Sequence, residues 1–442
     1  MALQSAAEPV VLDTGAGRFA GLREQGVLRV RGIRYAVAGR FERPRAASPE
    51  PGTTPAIDPA PACPQPDSRG DRMLGEPYRG IRFDEDCLRL SVTAPDDLAP
   101  DERVPVLVWI HGGSYVAGGG DLPIFDPAAL VREQRVLVVA VTYRLGMLGF
   151  LGDAERVPPN LGLLDLIEAL RWVHRHIADF GGDPAAVTLM GQSAGADAAA
   201  HLLIAGGAEG LAARAILQSA PFGIRRNRSR MTARMLDAVG AIDPAATEDL
   251  LFAAHDRAYA AAARFGLRSG MPFGPQYGAE PLPAEDRVDA AWRRVADRVD
   301  VLVGWTSEET RFFGSLSPGL TRLFGLPVVG GPLGRLIVRL TTDAVYRRGG
   351  RGFAALLRSA GGRVTEYELD WRPEGGAAGA GHVVDLPLLF PGPGWARARL
   401  IGDVDPADLE GIGAGLRTVW GAFARGEALP PLPPGPVHLT MR

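Results

Sequence analysis

The chain has 442 residues, 46% hydrophobic and 22% charged, with a formal net charge of -3. These proportions suit a globular protein and supply no basic surface, so neither nucleic acid nor an anionic membrane is expected as a partner. All 48 basic residues are arginine, and a chain without lysine cannot be a Schiff-base, pyridoxal-phosphate or lysine-dependent P-loop enzyme.

The segment from Met1 to Pro9 has neither the basic start nor the apolar run of a secretory leader. No stretch approaches a membrane span, so a cytoplasmic location is expected. From Val10 to Ala38 two strand-like runs flank a glycine-rich turn, which predicts an N-terminal antiparallel hairpin. Residues Arg43 to Arg69 are rich in proline, alanine and aspartate and read as an ordered loop. The two cysteines, Cys63 and Cys87, are too few for a metal cage; they could form one bridge, and in a reducing cytosol they would stay thiols.

Cys87 to Thr93 alternates polar and apolar residues, and Val104 to Ile110 is the continuous apolar run of a central strand. The loop after it, His111 to Gly120, carries five glycines. Glycines directly after a buried strand let backbone amides converge on one point, as an oxyanion hole requires. Another buried strand, Val136 to Tyr143, leads to a compact loop. Asn160 to Ile177 then places Leu163, Leu166, Ile167, Leu170 and Val173 at helical spacing, and a Gly-Gly-Asp-Pro stop follows Phe180. Alternating strands and helices predict a largely parallel sheet.

Val187 to Met190 enters Gly191-Gln-Ser-Ala-Gly195 and leaves through an alanine-rich helix ending near Leu203. Strand, tight turn and helix are the setting in which a GxSxG serine stands exposed, so Ser193 is the candidate nucleophile. A serine hydroxyl needs a base, and the base needs an orienting carboxylate.

Four blocks give the chain a resemblance to the type-B carboxylesterases, the family that includes the cholinesterases. They are Glu85 to Val92, Trp109 to Gly113, Tyr143 to Phe150, and the span from Gly162 through Phe180-Gly-Gly-Asp-Pro to Gly195. Their order and spacing match, and weaker likenesses at Gly32 to Tyr35 and Trp420 to Ala424 extend the resemblance over most of the chain. It implies one α/β-hydrolase domain over residues 1–442. In that fold a mostly parallel sheet has helices on both faces, and insertions at 221–300 and 311–370 form a compact helical cap. It also implies ester hydrolysis with no metal or cofactor. Carried onto this chain, the nucleophile falls on Ser193 and the oxyanion amides on Gly113, Ser114 and Ala194, with Ser114 replacing a third glycine. The carboxylate falls on Glu309 beside Glu308, with Thr310 in place of a glycine.

The base follows by elimination among seven histidines. His111, His174, His176, His201, His255 and His438 lie in the oxyanion loop, on helices or in the tail. His382 instead follows a glycine-rich loop, from which a ring could swing over the sheet edge, and it completes the order Ser, Glu, His. The resemblance also implies a disulfide between Cys63 and Cys87 and a buried Glu85–Arg144 pair. Gln192 stands where the family has glutamate, so a cationic ester should not be favoured over a neutral one.

The expected substrates are small neutral or aromatic esters; which residues line the pocket is not legible, with Phe265, Phe273, Tyr277, Trp292, Phe312 and Phe313 the aromatic candidates. The same constellation serves amide, carbamate or lactone hydrolysis and acyl transfer. A non-catalytic interaction protein of the same fold is the alternative from another class. Nothing in the sequence speaks to oligomeric state.

Overall fold

Apolar and β-branched runs form one twelve-stranded sheet in the computed structural model, which describes residues 7–67, 70–241, 243–317, 319, 322 and 330–442. The strands along its path are β1 (Glu8–Thr14), β2 (Gly17–Glu24), β3 (Val27–Arg34), β4 (Arg89–Pro95), β5 (Val104–Ile110) and β6 (Leu137–Val141). They continue with β7 (Gly182–Gln192), β8 (Arg214–Gln218), β9 (Asp300–Thr306), β10 (Val364–Asp370) and β11 (His438–Met441). The spatial order is β1-β2-β3-β4-β6-β5-β7-β8-β9-β10-β11, and Thr53–Pro55 pairs beside β2. From β6 to β10 every pairing is parallel. The path is antiparallel from β1 to β6 and again between β10 and β11.

The N-terminal region is a three-stranded meander rather than a hairpin. The glycines of β2 suggest a turn, but Gly21 lies so near β3 that a Cβ there would sit 2.5 Å from the Arg29 carbonyl oxygen. Close approach of backbones, not a turn, explains that glycine. The loop after Arg43 is mostly irregular, as expected, with Arg45–Ala46 and Thr53–Pro55 as short extended pieces; residues 68 and 69 lie outside the described ones.

Alternation along the strands divides the buried side chains into two cores. Val106, Val108 and Ile110 point into one, Leu107 and Trp109 into the other. The longer helices among the described residues are α1 (Ala128–Gln134), α2 (Leu161–His176), α3 (Ala194–Leu202), α4 (Ser229–Val239), α5 (Glu248–Ala262) and α6 (Val288–Val295). After them come α7 (Glu309–Ser315), α8 (Gly330–Thr342), α9 (Arg348–Arg358) and α10 (Leu409–Arg425). Helices α2 and α3 bury their apolar faces in the first core, while α1 and α10 cover the second. In α2 the buried stripe includes Leu163, Leu166, Ile167, Leu170 and Val173. Each such side chain contributes about 1.5–3 kcal/mol on leaving water. Among the described residues no helix is long and apolar enough to cross a membrane.

Two pairings implied by the resemblance are not made. Arg144 binds Asp165 instead of Glu85, with Nε 2.8 Å from Oδ2 and Nη2 2.6 Å from Oδ1. Asp165 offers both oxygens from the adjacent α2, a bidentate fit, while Glu85 turns outward to Arg40. Cys63 and Cys87 are buried, unbonded thiols. Hydrogen bonding to Cys63 and burial push the Cys87 thiol above its ordinary value.

Candidate active site

The parallel strands end together at one edge of the sheet, and β7 there turns into α3 through a single residue. That residue, Ser193, has φ 57° and ψ -123°, a conformation few side chains tolerate. Two contacts hold it. Its N–H donates to the Gln218 carbonyl at 2.8 Å, and the glycines around it remove all clearance. A Cβ on Gly195 would lie 2.0 Å from the Ile110 oxygen, and one on Gly191 2.4 Å from the Gly195 carbonyl carbon. The motif is therefore glycine at these positions because nothing larger fits.

The loop after β5 supplies the facing wall. Gly113, Ser114 and Tyr115 all have positive φ, at 106°, 55° and 60°. A Cβ on Gly113 would meet the Ala117 oxygen at 1.9 Å. The N–H groups of Gly113, Ser114 and Ala194 have no acceptor among the described residues. His111 anchors the loop: its Nδ1 donates to the Gly112 carbonyl at 2.8 Å, and its ring stacks on Tyr143 at 4.6 Å. Burial lowers its pKa to about 4, so it is neutral and structural.

The carboxylate and the imidazole come from the helix that follows β9 and from the loop after β10. Glu309 opens α7 and is fully buried; its Oε1 accepts the Thr306 N–H at 2.8 Å. Its Oε2 lies 2.5 Å from His382 Nδ1, and the His382 N–H donates to the Glu309 carbonyl at 3.0 Å. Glu308, the other acid of the pair, instead meets Arg372 at 2.8 Å and Arg311 at 3.1 Å. His382 is 2% exposed. The glycines before it permit packing: a Cβ on Gly379 would lie 2.8 Å from the Glu308 carboxylate, and one on Gly381 2.7 Å from the Ala378 oxygen. The next residue, Val383, has φ 68°, a strained value for a β-branched side chain.

Of the neighbours of His382, Phe313 was among the aromatic candidates, while Tyr346 and Asp385 escaped sequence reading. Phe313 and Tyr346 bring their rings to 5.1 and 5.2 Å from the His382 ring. Tyr346 does so from a wide, π-helical turn, Asp343–Arg347, between α8 and α9. Asp385 is buried three residues beyond His382, where Gln218 Nε2 donates to its Oδ2 at 2.5 Å while its Oδ1 has no partner among the described residues. Trp420 Nε1 completes the group by donating to Gln218 Oε1 at 3.3 Å. Burial, opposed by the Gln218 bond, pushes the Asp385 carboxyl up to about 6. Its spacing from His382 was the available sequence signal; Tyr346 offered none. The remaining histidines are elsewhere: His201 is bonded to the Asp197 carbonyl and the Tyr277 hydroxyl, His255 stacks on Phe273, and His174 and His438 are exposed.

Open space meets Ser193 in two lobes. A cavity of 260 Å³ is lined by Ser193, Ser114, Thr310, Phe313, Tyr346 and apolar residues of α8 such as Val338. A second, of 110 Å³, is lined by Ser193, Gly113, Gln192, His382, Tyr78 and Leu386. Of the six aromatic candidates, Phe313 lines both lobes, while Trp292 and Phe273 are core. A larger cavity of 490 Å³ lies apart, against α4 and the segment around Gln276 and Tyr277, and shares no lining residue with these lobes. Size alone would select it, but it holds neither a strained serine nor a histidine.

Comparison with known proteins decides the family. The profile of the Carboxylesterase family matches residues 8–320. The chain belongs to that family. A probable N-octanoylanthranilate hydrolase of Rhodococcus erythropolis is 36% identical over 399 residues, covering 89% of this chain and 87% of that protein. The para-nitrobenzyl esterase of Bacillus subtilis is 32% identical over 417 residues, covering 86% and 82%. Among solved structures, a thermophilic para-nitrobenzyl esterase superposes with a TM-score of 0.77 at 29% identity, covering 94% of this chain and 90% of that one. This carboxylesterase therefore has the α/β-hydrolase fold and is a carboxylic ester hydrolase. The hydrolase and esterase relatives, rather than membership alone, favour an enzyme over the non-catalytic alternative, and they make the strained serine, rather than the larger cavity, the centre of interest.

Proposed function

We propose that Ser193 attacks the ester carbonyl, that His382 takes its proton and later delivers it to the leaving group, and that Glu309 orients the ring and stabilises its charged form. The amides of Gly113, Ser114 and Ala194 receive the oxyanion, donors worth roughly 3 to 4 kcal/mol each in the transition state. Water then releases the acyl group by the same route. The observation that carries this reading is the buried Glu309–His382 contact opening onto the cavity shared by Ser193 and Ser114.

His382 must reach the leaving atom, so the lobe that His382 lines takes the leaving group and the lobe against α8 takes the acyl group. With 260 Å³ for the acyl side and 110 Å³ for the other, the substrates are neutral or aromatic esters whose apolar bulk is the acyl chain. Residues 221–300 and 311–370 act as the cap, since both contribute to the acyl lobe through residues such as Ile224 and Val338; within the second span, residues 318, 320, 321 and 323–329 lie outside the described ones.

Turnover of p-nitrophenyl esters from acetate to octanoate, with Ser193→Ala as control, tests the proposal. Turnover should fall on the order of 10^5- to 10^6-fold in the variant without loss of fold by circular dichroism. Residual turnover near the wild-type level in a folded Ser193→Ala protein would refute the assignment. A second reading, hydrolysis of N-acyl amides, is supported by the Rhodococcus relative, whose name describes an N-octanoyl amide. An octanoyl anilide in the same series separates the two.

A further inference from the structure

The outer nitrogen of the imidazole has a hydrogen-bonding neighbour other than the nucleophile. His382 Nε2 lies 3.2 Å from Gln192 Nε2, and the Ser193 hydroxyl has no hydrogen-bond partner among the described residues. The direction of the His382 contact follows from the other ring nitrogen. Glu309 accepts at both carboxylate oxygens, from Thr306 N–H and from His382 Nδ1. In the neutral ring Nδ1 then carries the proton, Nε2 presents a lone pair, and the Gln192 amide donates to it. An amide turned the other way would set its oxygen against that lone pair.

Gln192 is closely packed beside the ring. It is 1% exposed at the end of β7, and a Cβ on Gly112 would lie 2.7 Å from its Oε1. We propose that Gln192 is a positioning residue that holds His382 in its neutral form by donating to Nε2, a bond the Ser193 hydroxyl must replace before each acylation. The proposal rests on reading Ser193, His382 and Glu309 as the reacting groups. It has a consequence that a packing role lacks. The bond exists only while the imidazole is neutral, since a protonated Nε2 would oppose one N–H to another. Gln192 therefore disfavours the imidazolium and extends activity toward acid.

The titratable groups facing His382 are Glu309 from α7, Asp385 from the loop that follows the histidine, and Tyr346 from the turn before α9. All three are retained in substitutions at 192. The test is the pH profile of kcat/KM on p-nitrophenyl butyrate for the wild type, Gln192→Met and Gln192→Glu. Methionine removes the donor at similar size, and glutamate replaces it with an acceptor. The acid limb should move to higher pH by about 0.5 to 1 unit in Gln192→Met and by about 1 to 2 units in Gln192→Glu. Limbs of the wild type and Gln192→Met that coincide, or a reversed order, overturn the proposal. Nitrogen NMR of the wild-type histidine needs no variant: a proton on Nδ1 with a hydrogen-bonded lone pair on Nε2 is expected, and a proton on Nε2 overturns it. If instead Ser193→Ala retained turnover, the catalytic reading itself would fail, a result distinct from either of these.

Discussion

The two walls of the site are built under different constraints. On the strand side, Gly113, Gly191 and Gly195 sit where an added methyl group would fall within about 2.4 Å of backbone. On the helical side, Val338, Thr341 and Phe313 face open space across the larger lobe. Chemistry needs atoms at fixed points, and the backbone is packed to hold them there. A lobe needs only volume and apolarity, which many side chains supply.

That contrast can be broken from the strand side first. Gly195→Ala forces a Cβ to 2.0 Å from the Ile110 oxygen. It should cost more than about 3 kcal/mol, with loss of turnover, read as a lowered urea midpoint. A midpoint equal to the wild type would mean the elbow is looser than its contacts imply.

Asp385 gives a smaller effect with a definite sign. Its carboxyl holds a proton to about pH 6, against an ordinary 3.8, so the native state binds that proton more tightly than the unfolded chain. The stability it contributes is complete below pH 3.8 and is lost as pH rises through 6. Asp385→Asn should therefore match the wild type near pH 4 and exceed it by about 2 to 3 kcal/mol at pH 8. Parallel stability curves for the two proteins would remove Asp385 from this role.

The smallest effect belongs to the helical side. Thr341→Phe in the larger lobe should leave the unfolding midpoint nearly unchanged and lower the ratio of octanoate to acetate turnover by about 10-fold. An unchanged ratio would move the acyl chain to the other lobe.

The same contrast explains how far the sequence could be read. Gly191, Gly195 and the loop after β5 were visible because a glycine forced by close backbone leaves no substitute. Helix α2 was visible because its buried stripe keeps one period throughout. Strand β2 was misread for the converse reason, since Gly21 serves an approach to β3 that no local pattern reveals. Gln218 and Tyr346 owe their places to contacts across long stretches of chain, and Glu85 chose Arg40 because Asp165 had already taken Arg144. Local spacing carries none of that.

Gln218 joins parts of the chain that otherwise have little in common. Its carbonyl receives the Ser193 amide, and its side chain binds both Asp385, 167 positions away, and Trp420, 202 positions away. Over evolutionary time such a residue makes drift concerted: a new side chain at 385 or 420 strands a buried polar atom unless position 218 answers it, and a change at 218 presses on the backbone beneath the nucleophile. The three positions should vary as a set or not at all, while the residues of the helical wall remain free to vary one at a time.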